Sequence, residues 1–271
     1  MAIIAISRGT FSGGEALARG VAERLEYPCL SREILLDAAR EYGIPAEDLS
    51  AAVEHSPSLW ERVTGGRRAY LALVQAALCE RARNGRLVYH GYAGHFLLPG
   101  IAHVIRVRVI ADANYRVQAA SRRQGLGPKE ARAYIDRVDR ERRQWLRLLF
   151  DVDWEDPRLY DVVLNLSRMN LATACETVVR LTERAEFQPT AQSWQAMEDL
   201  ALASRVSAAL ATDPRTEGVA LDVEASDGMV KVTGMAPWAQ IAEAIPAVVH
   251  QVAGVKEVRS DFAVLPLAYY F

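Results

Sequence analysis

The opening of the chain constrains its fold more than any other stretch. A short apolar run, Ile3 to Ile6, ends in Ser7-Arg8; Gly9, Gly13 and Gly14 follow, and then Leu17, Val21 and Leu25 recur at helical spacing. This is the layout of a strand, a glycine loop and a helix. At such a loop, unpaired N–H groups and the positive end of the helix dipole converge, and glycines let the backbone approach phosphate oxygens closely. In the pattern G-x-x-x-x-G-K-[ST] a lysine adds charge and a hydroxyl holds magnesium. Aligning Gly9 and Gly14 with its glycines puts Glu15 at the lysine position and Ala16 at the hydroxyl position. A tight strand-to-helix turn without a ligand is the other reading of the same residues.

The alternation continues downstream. Helical patterns at about 32–42 and 67–84 precede an apolar strand at Leu87 to His90 and another at His103 to Ile110. A long helical pattern covers about 128–149, then a strand Tyr160 to Leu166 and a helix 170–184. Strands alternating with helices predict an α/β domain, a parallel sheet covered on both faces. The stretch AEFQPTAQSW, 185–194, breaks the pattern and reads as a linker. Beyond it a helix near 195–211 leads to Val219 to Val223 and Met229 to Val232, alternating runs separated by Asp227-Gly228, a strong hairpin signal. A helix near 237–252 and a strand near 255–264 complete a small α+β unit. The expected division is 1–185, a linker at 186–196, and 197–271.

Charge is distributed unevenly. The net charge of −2 argues against a basic nucleic-acid binder, yet residues 101–150 hold 12 Lys or Arg against 5 Asp or Glu, the balance expected of an anion site. In the helix near 128–149, Arg132, Asp136, Arg140, Arg143 and Arg147 share one face, while Ala131, Ile135, Val138, Trp145 and Leu149 are expected to be buried on another. Arginines so placed offer bidentate forks to phosphate; a solvated helix face is the plainer reading. Three scattered cysteines, Cys29, Cys79 and Cys175, predict free thiols in a reducing, cytoplasmic compartment. No apolar segment reaches the 18 to 20 or so residues that span a bilayer, and the apolar start is too short for a signal peptide. His90 and His95 have no third ligand at useful spacing, so a metal site is not expected.

The segments SRGTFSGGEALARGVAERLEYPCLSREIL, LVYHGYAGHFLL, VIRVRVIADANYRV and AYIDRVDRERRQWLRLLFDVDWEDPRLYDVVLN together resemble the cytidylate kinase-like family. The last is the most specific, with Trp154, Asp156-Pro157, Tyr160-Asp161 and Asn165 in the family's order. The resemblance covers about residues 1–182. It implies a P-loop nucleoside monophosphate kinase fold, ATP with Mg2+ as donor, and a nucleotide such as CMP as acceptor. On it, Arg8, Gly9, Ser12, Gly13, Gly14 and Glu15 are expected at the phosphate, Arg140 and Arg143 as lid arginines in catalysis with Asp139 in the same pattern, and Arg32, Tyr92 and Arg116 at the substrate; Arg122 and Arg123 are lesser candidates. Three positions depart from the family: Phe11 replaces a glycine before Ser-Gly-Gly, Glu15 a basic residue, and Tyr92 the arginine of a Gly-Arg pair.

Residues about 197–266 resemble a BON domain through VSAALATD, GVALDVEASDGMVKVTG and AGVKEVRSDFAV. That resemblance implies a binding module for a lipid or protein ligand; a structural or dimerising appendage is the alternative. Three readings of the chain follow: a nucleotide phosphotransferase, a pseudokinase signalling through its BON module, and a scaffold with no nucleotide site.

Overall fold

The computed structural model of the chain describes residues 1–31, 41, 67–91, 94–236 and 238–264. These form two compact units. Over the described residues, one comprises 1–31 and 84–190 and the other 67–83 and 191–264.

The first unit is a five-stranded parallel sheet in the order β2-β3-β1-β4-β5. Its strands are β1 (Ile3–Arg8), β2 (Cys29–Leu30), β3 (Leu87–His90), β4 (Val104–Ile110) and β5 (Val162–Asn165). β1 lies at the centre, and Ile3, Ile4 and Ile6 are almost wholly buried. A strand flanked by parallel neighbours and covered on both faces must be apolar throughout, which is why this run is continuous rather than alternating. α1 (Gly14–Leu25) and α5 (Leu171–Leu181) pack on the sheet through Leu17, Val21, Ala174 and Val178.

Two further helices, α3 (Ala113–Gln124) and α4 (Pro128–Phe150), form a hairpin. Sequence periodicity did not expose α3, but its ends carry the chemistry of a helix. Asp112 accepts a hydrogen bond from the Tyr115 N–H at 2.8 Å as N-cap, and Gly125 closes the helix at φ 70°. α4 starts with Pro128 in its first turn, while Glu130 accepts from the Gly127 N–H at 3.0 Å.

The second unit holds an antiparallel hairpin, β6 (Leu221–Ser226) and β7 (Met229–Ala236), with β8 (Glu257–Val264) parallel to β7. Asp227 and Gly228 both take positive φ, 51° and 86°, as the two central residues of a type I′ turn require. α6 (Ala191–Thr212) and α7 (Ala239–His250) supply Val206, Leu210, Ile245 and Val249 to its core. α6 begins at Ala191, so the last part of the expected linker is helical. This unit also takes in α2 (Arg67–Ala82), which comes from far upstream. Arg83, just past the end of α2, donates to both carboxylate oxygens of Glu198 on α6, Oε1 at 3.1 Å and Oε2 at 2.7 Å, and Ser204 Oγ lies 3.6 Å from Cys79 Sγ. Burial pushes the Cys79 thiol up to about 12, so it is an inert core group. All three cysteines are free.

Candidate functional site

The loop between β1 and α1 is tied down by its own backbone. Gly9 N–H donates to the Val109 carbonyl at 3.3 Å, and Ser12 N–H to the Gly9 carbonyl at 3.1 Å. The Ser12 hydroxyl donates to the Val109 carbonyl at 3.1 Å. Gly9 and Ser12, both expected at the phosphate, therefore spend these donors on the fold. The free donors lie one step on. Gly13, at φ 89°, caps α1 without any side-chain hydrogen bond, and the first helical bond runs from Leu17 N–H to the Gly13 carbonyl. The N–H groups of Gly14, Glu15 and Ala16 thus have no helical acceptor, the orphan donors of every helix start. Both glycines are required. A Cβ at Gly13 would lie 2.7 Å from Leu166 Cδ1, and one at Gly14 would lie 2.5 Å from Arg8 Cβ.

Phe11 explains one departure from the family pattern. Its φ is 59°, the left-handed region where glycine costs nothing and other residues are strained by roughly 1–2 kcal/mol. The ring compensates by packing with Val117, Leu126 and the buried Ala120, Ala131 and Ile135 of the α3–α4 hairpin. It also sits 6.1 Å from the Tyr134 ring. A cross-over in substitutions follows. Phe11→Ala loses the packing and keeps the strain; Phe11→Gly loses the packing and relieves the strain. The glycine variant is expected to be the more stable of the two by about 1 kcal/mol, read as the higher urea midpoint; the reverse order would contradict a strained Phe11.

Glu15 does not face the loop as a bare charge. It pairs with Arg19 at 3.1 Å and with Arg123 of α3 at 2.8 Å. The hydrogen bond from Arg123 holds its carboxyl below the usual carboxylate range, with Arg8 and Arg19 adding to the pull. Arg123, a lesser candidate by sequence, is the residue that neutralises the acid at the lysine position.

Arg140 and Arg143, the arginines expected to form a lid, make no hydrogen bond or ion pair with the loop among the described residues. Arg140 is exposed and has no hydrogen bond or ion pair among the described residues. Arg143 pairs with Glu155 at 3.0 Å and Arg147 with Asp153 at 3.6 Å. The residues of α4 that reach the loop are Asp139 and Arg142. Asp139 Oδ1 accepts from the Thr10 N–H at 3.1 Å and from the Thr10 hydroxyl at 2.6 Å. Arg142 donates to the Arg8 carbonyl at 3.3 Å. Arg116, expected at the substrate, donates through Nε to the Thr10 carbonyl at 2.7 Å and forms an ion pair with Asp139. Asp139, Arg142, Arg116 and the loop are therefore one connected network. On α4 the buried positions are Ala131, Ile135 and Leu146, whereas Val138, Trp145 and Leu149 are only half-buried. The inward stripe is Ala131, Ile135, Asp139, Arg142 and Leu146, one residue away from the expected arginine stripe. Two charged residues inside an otherwise apolar stripe were the signal in the sequence.

Behind the loop, Ser7, Arg8, Gly91, Arg142 and Trp154 help line a cavity of about 20 Å³, room for one water. The Trp154 indole N–H is buried with no hydrogen-bond partner among the described residues. Nearby, the buried Arg108 donates to the Trp154 carbonyl at 2.7 Å and stacks 4.6 Å from its ring. The Tyr160 hydroxyl donates to the Trp154 carbonyl at 2.7 Å, so this family-type aromatic pair is locked to β1 and β4. Two expected site residues, Arg32 and Tyr92, lie outside the described residues, as does all but position 41 of the helical pattern at 32–42. No group of three His, Cys, Asp or Glu among the described residues is placed to hold a metal ion. No helix among them is long and apolar enough to cross a membrane.

Comparison with known proteins bears on this geometry. A model of the cytidylate kinase-like family matches residues 3–168, and one of the BON domain matches residues 198–266. The chain is 26% identical over 158 residues to a cytidylate kinase of Methanopyrus kandleri, covering 58% of this chain and 80% of that one. It is 25% identical over 184 residues to a cytidylate kinase of Pyrobaculum arsenaticum, covering 67% and 93%. Among solved structures, an uncharacterized protein from Eubacterium ventriosum aligns over 68% of this chain and 99% of its own, with a TM-score of 0.53 at 16% identity.

Proposed function

Because the chain belongs to the cytidylate kinase-like family and carries a BON domain, we propose that its first unit binds a nucleoside triphosphate such as ATP and transfers the terminal phosphoryl group to a nucleoside monophosphate such as CMP. The observation that carries this reading is the start of α1, whose first N–H groups have no helical acceptor and follow a loop braced by Arg116 and Arg142. The orphan N–H groups of Gly14, Glu15 and Ala16 face a loop that Arg116 and Arg142 contact directly. Backbone donors and guanidinium groups bind phosphate oxygens without a lysine.

Phosphoryl transfer asks the protein mainly to position two phosphates and stabilise charge on the moving oxygens. Gly14, Glu15 and Ala16 hold the donor's inner phosphates through backbone N–H. Arg142, which lines the cavity behind the loop, stands where the transferred group and the acceptor phosphate meet. Arg116 braces the loop through the Thr10 carbonyl. The residues do not form a protein-built magnesium site: Ala16 stands in place of the usual hydroxyl, and no group of three His, Cys, Asp or Glu among the described residues is placed to hold a metal ion. The sequence modules, 1–185 and 197–271, then divide the labour: nucleotide chemistry in the first, and recognition of a lipid or protein ligand by the BON module in the second. A cytoplasmic setting fits three free thiols.

A second reading is favoured by Glu15 and Ala16 themselves. They remove the lysine charge and the hydroxyl, so the protein is then a nucleotide-responsive binding protein without turnover. A coupled assay with ATP, magnesium and each nucleoside monophosphate, run beside Glu15→Lys, separates the two. We expect slow turnover with CMP in the natural protein, about 100- to 1000-fold below the 1–100 per second common among kinases, and at least a tenfold rise in the variant. Nucleotide binding without turnover in either protein establishes the second reading, and no binding by either removes both.

A further inference from the structure

We infer that Asp139 is an internal occupant of the phosphate loop, a carboxylate that stands where a phosphoryl oxygen binds and that a polyphosphate must displace. The inference rests on the loop being a nucleotide site and adds how that site selects its ligand.

The Thr10 N–H and hydroxyl and the Arg116 and Arg142 guanidinium groups reach this carboxylate. The Thr10 N–H lies at 3.1 Å from Oδ1 and the Thr10 hydroxyl at 2.6 Å. Arg116 pairs with Oδ2, and Arg142 stands 3.9 Å from Oδ1. A loop N–H, a hydroxyl and two guanidinium groups are a set that recognises a phosphoryl group. Apart from Arg142, the other positions of α4 on the same stripe are apolar. Asp139 lies in the inward stripe between Ile135 and Leu146, which are both buried, and its side chain keeps 14% of its exposure. A carboxylate there is costly unless paired, and its pairing with Thr10 reaches 129 residues back in the sequence.

Two consequences follow. The affinity of the loop for any anion is lowered by the factor with which Asp139 favours its seat. A tethered monoanion is also outcompeted only by a ligand carrying more charge and more acceptor oxygens. The loop therefore favours a polyphosphate over single small anions, by setting a competitor against the weak ones.

Titration calorimetry of the full chain with inorganic tripolyphosphate, without magnesium, tests this on the natural protein and on Asp139→Asn. Asparagine keeps an acceptor for Thr10 and removes the charge. Displacement predicts at least tenfold tighter binding by the variant; equal or weaker binding, with an unfolding midpoint near the natural one, overturns it, since a carboxylate that merely braced the loop would lose affinity on removal. If the variant does not fold, crystals of the natural protein grown with tripolyphosphate decide. Asp139 withdrawn from Thr10, with a phosphoryl oxygen in its place, upholds the inference, and an intact Thr10–Asp139 contact beside bound tripolyphosphate overturns it. The result stands apart from turnover: tighter binding by a variant of a protein that transfers no phosphate upholds displacement and sinks phosphotransfer. Unchanged binding with turnover intact does the reverse, and no binding in any arm overturns both.

Discussion

We expect replacement of Arg142 by alanine to lower the proposed phosphotransfer by about 100- to 1000-fold, and the same change at Arg140 to leave the rate within about threefold. The size follows from the cost of removing one preorganised charge from a transition state, about 3–4 kcal/mol. The asymmetry follows from placement. Arg142 is largely buried, donates to the Arg8 carbonyl and lines the cavity behind the loop. Arg140, two residues earlier, is exposed and has no partner among the described residues. By sequence pattern alone Arg140 was the stronger candidate, so the pair of variants sets fold against pattern. Arg142 still leaves Asp139 paired with Arg116 when it is removed, so the unfolding midpoint should move by only a few degrees. Steady-state rates for both variants, with thermal unfolding as the control for folding, are the measurement. Equal losses at the two positions, or a larger loss at Arg140, would reject the arrangement.

The first unit is also expected to lose stability in mild acid through the His95 imidazole. His95 is buried between Phe96, at a ring distance of 3.9 Å, and Tyr160, at 4.9 Å. Its Nε2 has no hydrogen-bond partner among the described residues. Burial, with the nearby Arg106 and Arg108 charges, pushes its pKa down to about 4, and Asp161 offsets this only in part. The folded protein therefore keeps His95 neutral where the unfolded chain, near 6.5, already binds a proton. Stability is full above about pH 6.5, falls as pH drops towards 4, and changes no further from this group below that. At pH 4.5 the loss amounts to about 2.5 kcal/mol, at 1.36 kcal/mol per unit of pKa difference. A phenylalanine in its place removes the proton site and keeps an aromatic ring against Phe96. Urea unfolding of the natural protein and His95→Phe, at pH 7.5 and at pH 4.5, reads the effect as a difference of differences. A variant that loses as much stability in acid as the natural protein would rule out His95 as the cause.

Local rules made much of the fold legible. The strand–glycine loop–helix opening, the alternation of strands and helices and the Asp227-Gly228 hairpin depend on steric limits and periodicities that act within a few residues. Phe11 shows where local rules stop. Nothing in its immediate neighbours permits a positive φ; the apolar pocket of the α3–α4 hairpin does. The short β2 and the weakly periodic α3 escaped the sequence for a related reason: two residues carry no period, and α3 buries only Ala120 fully.

The site divides in the same way. That residues 9–16 would leave N–H groups unpaired follows from where strand and helix begin, and the sequence alone determines it. Which side chains meet those groups does not follow. A helix turns by about 100° per residue, so a shift of one position exchanges the stripe of Arg140, Arg143 and Arg147 for that of Asp139, Arg142 and Leu146. Only the packing of α4 through Ala131, Ile135 and Leu146 decides between them. Tertiary structure likewise brought Arg123 to Glu15 across 108 residues and set α2 in the second unit with α6. Contacts between segments far apart in the chain depend on how whole elements are rotated and packed, and no short run of sequence carries that rotation.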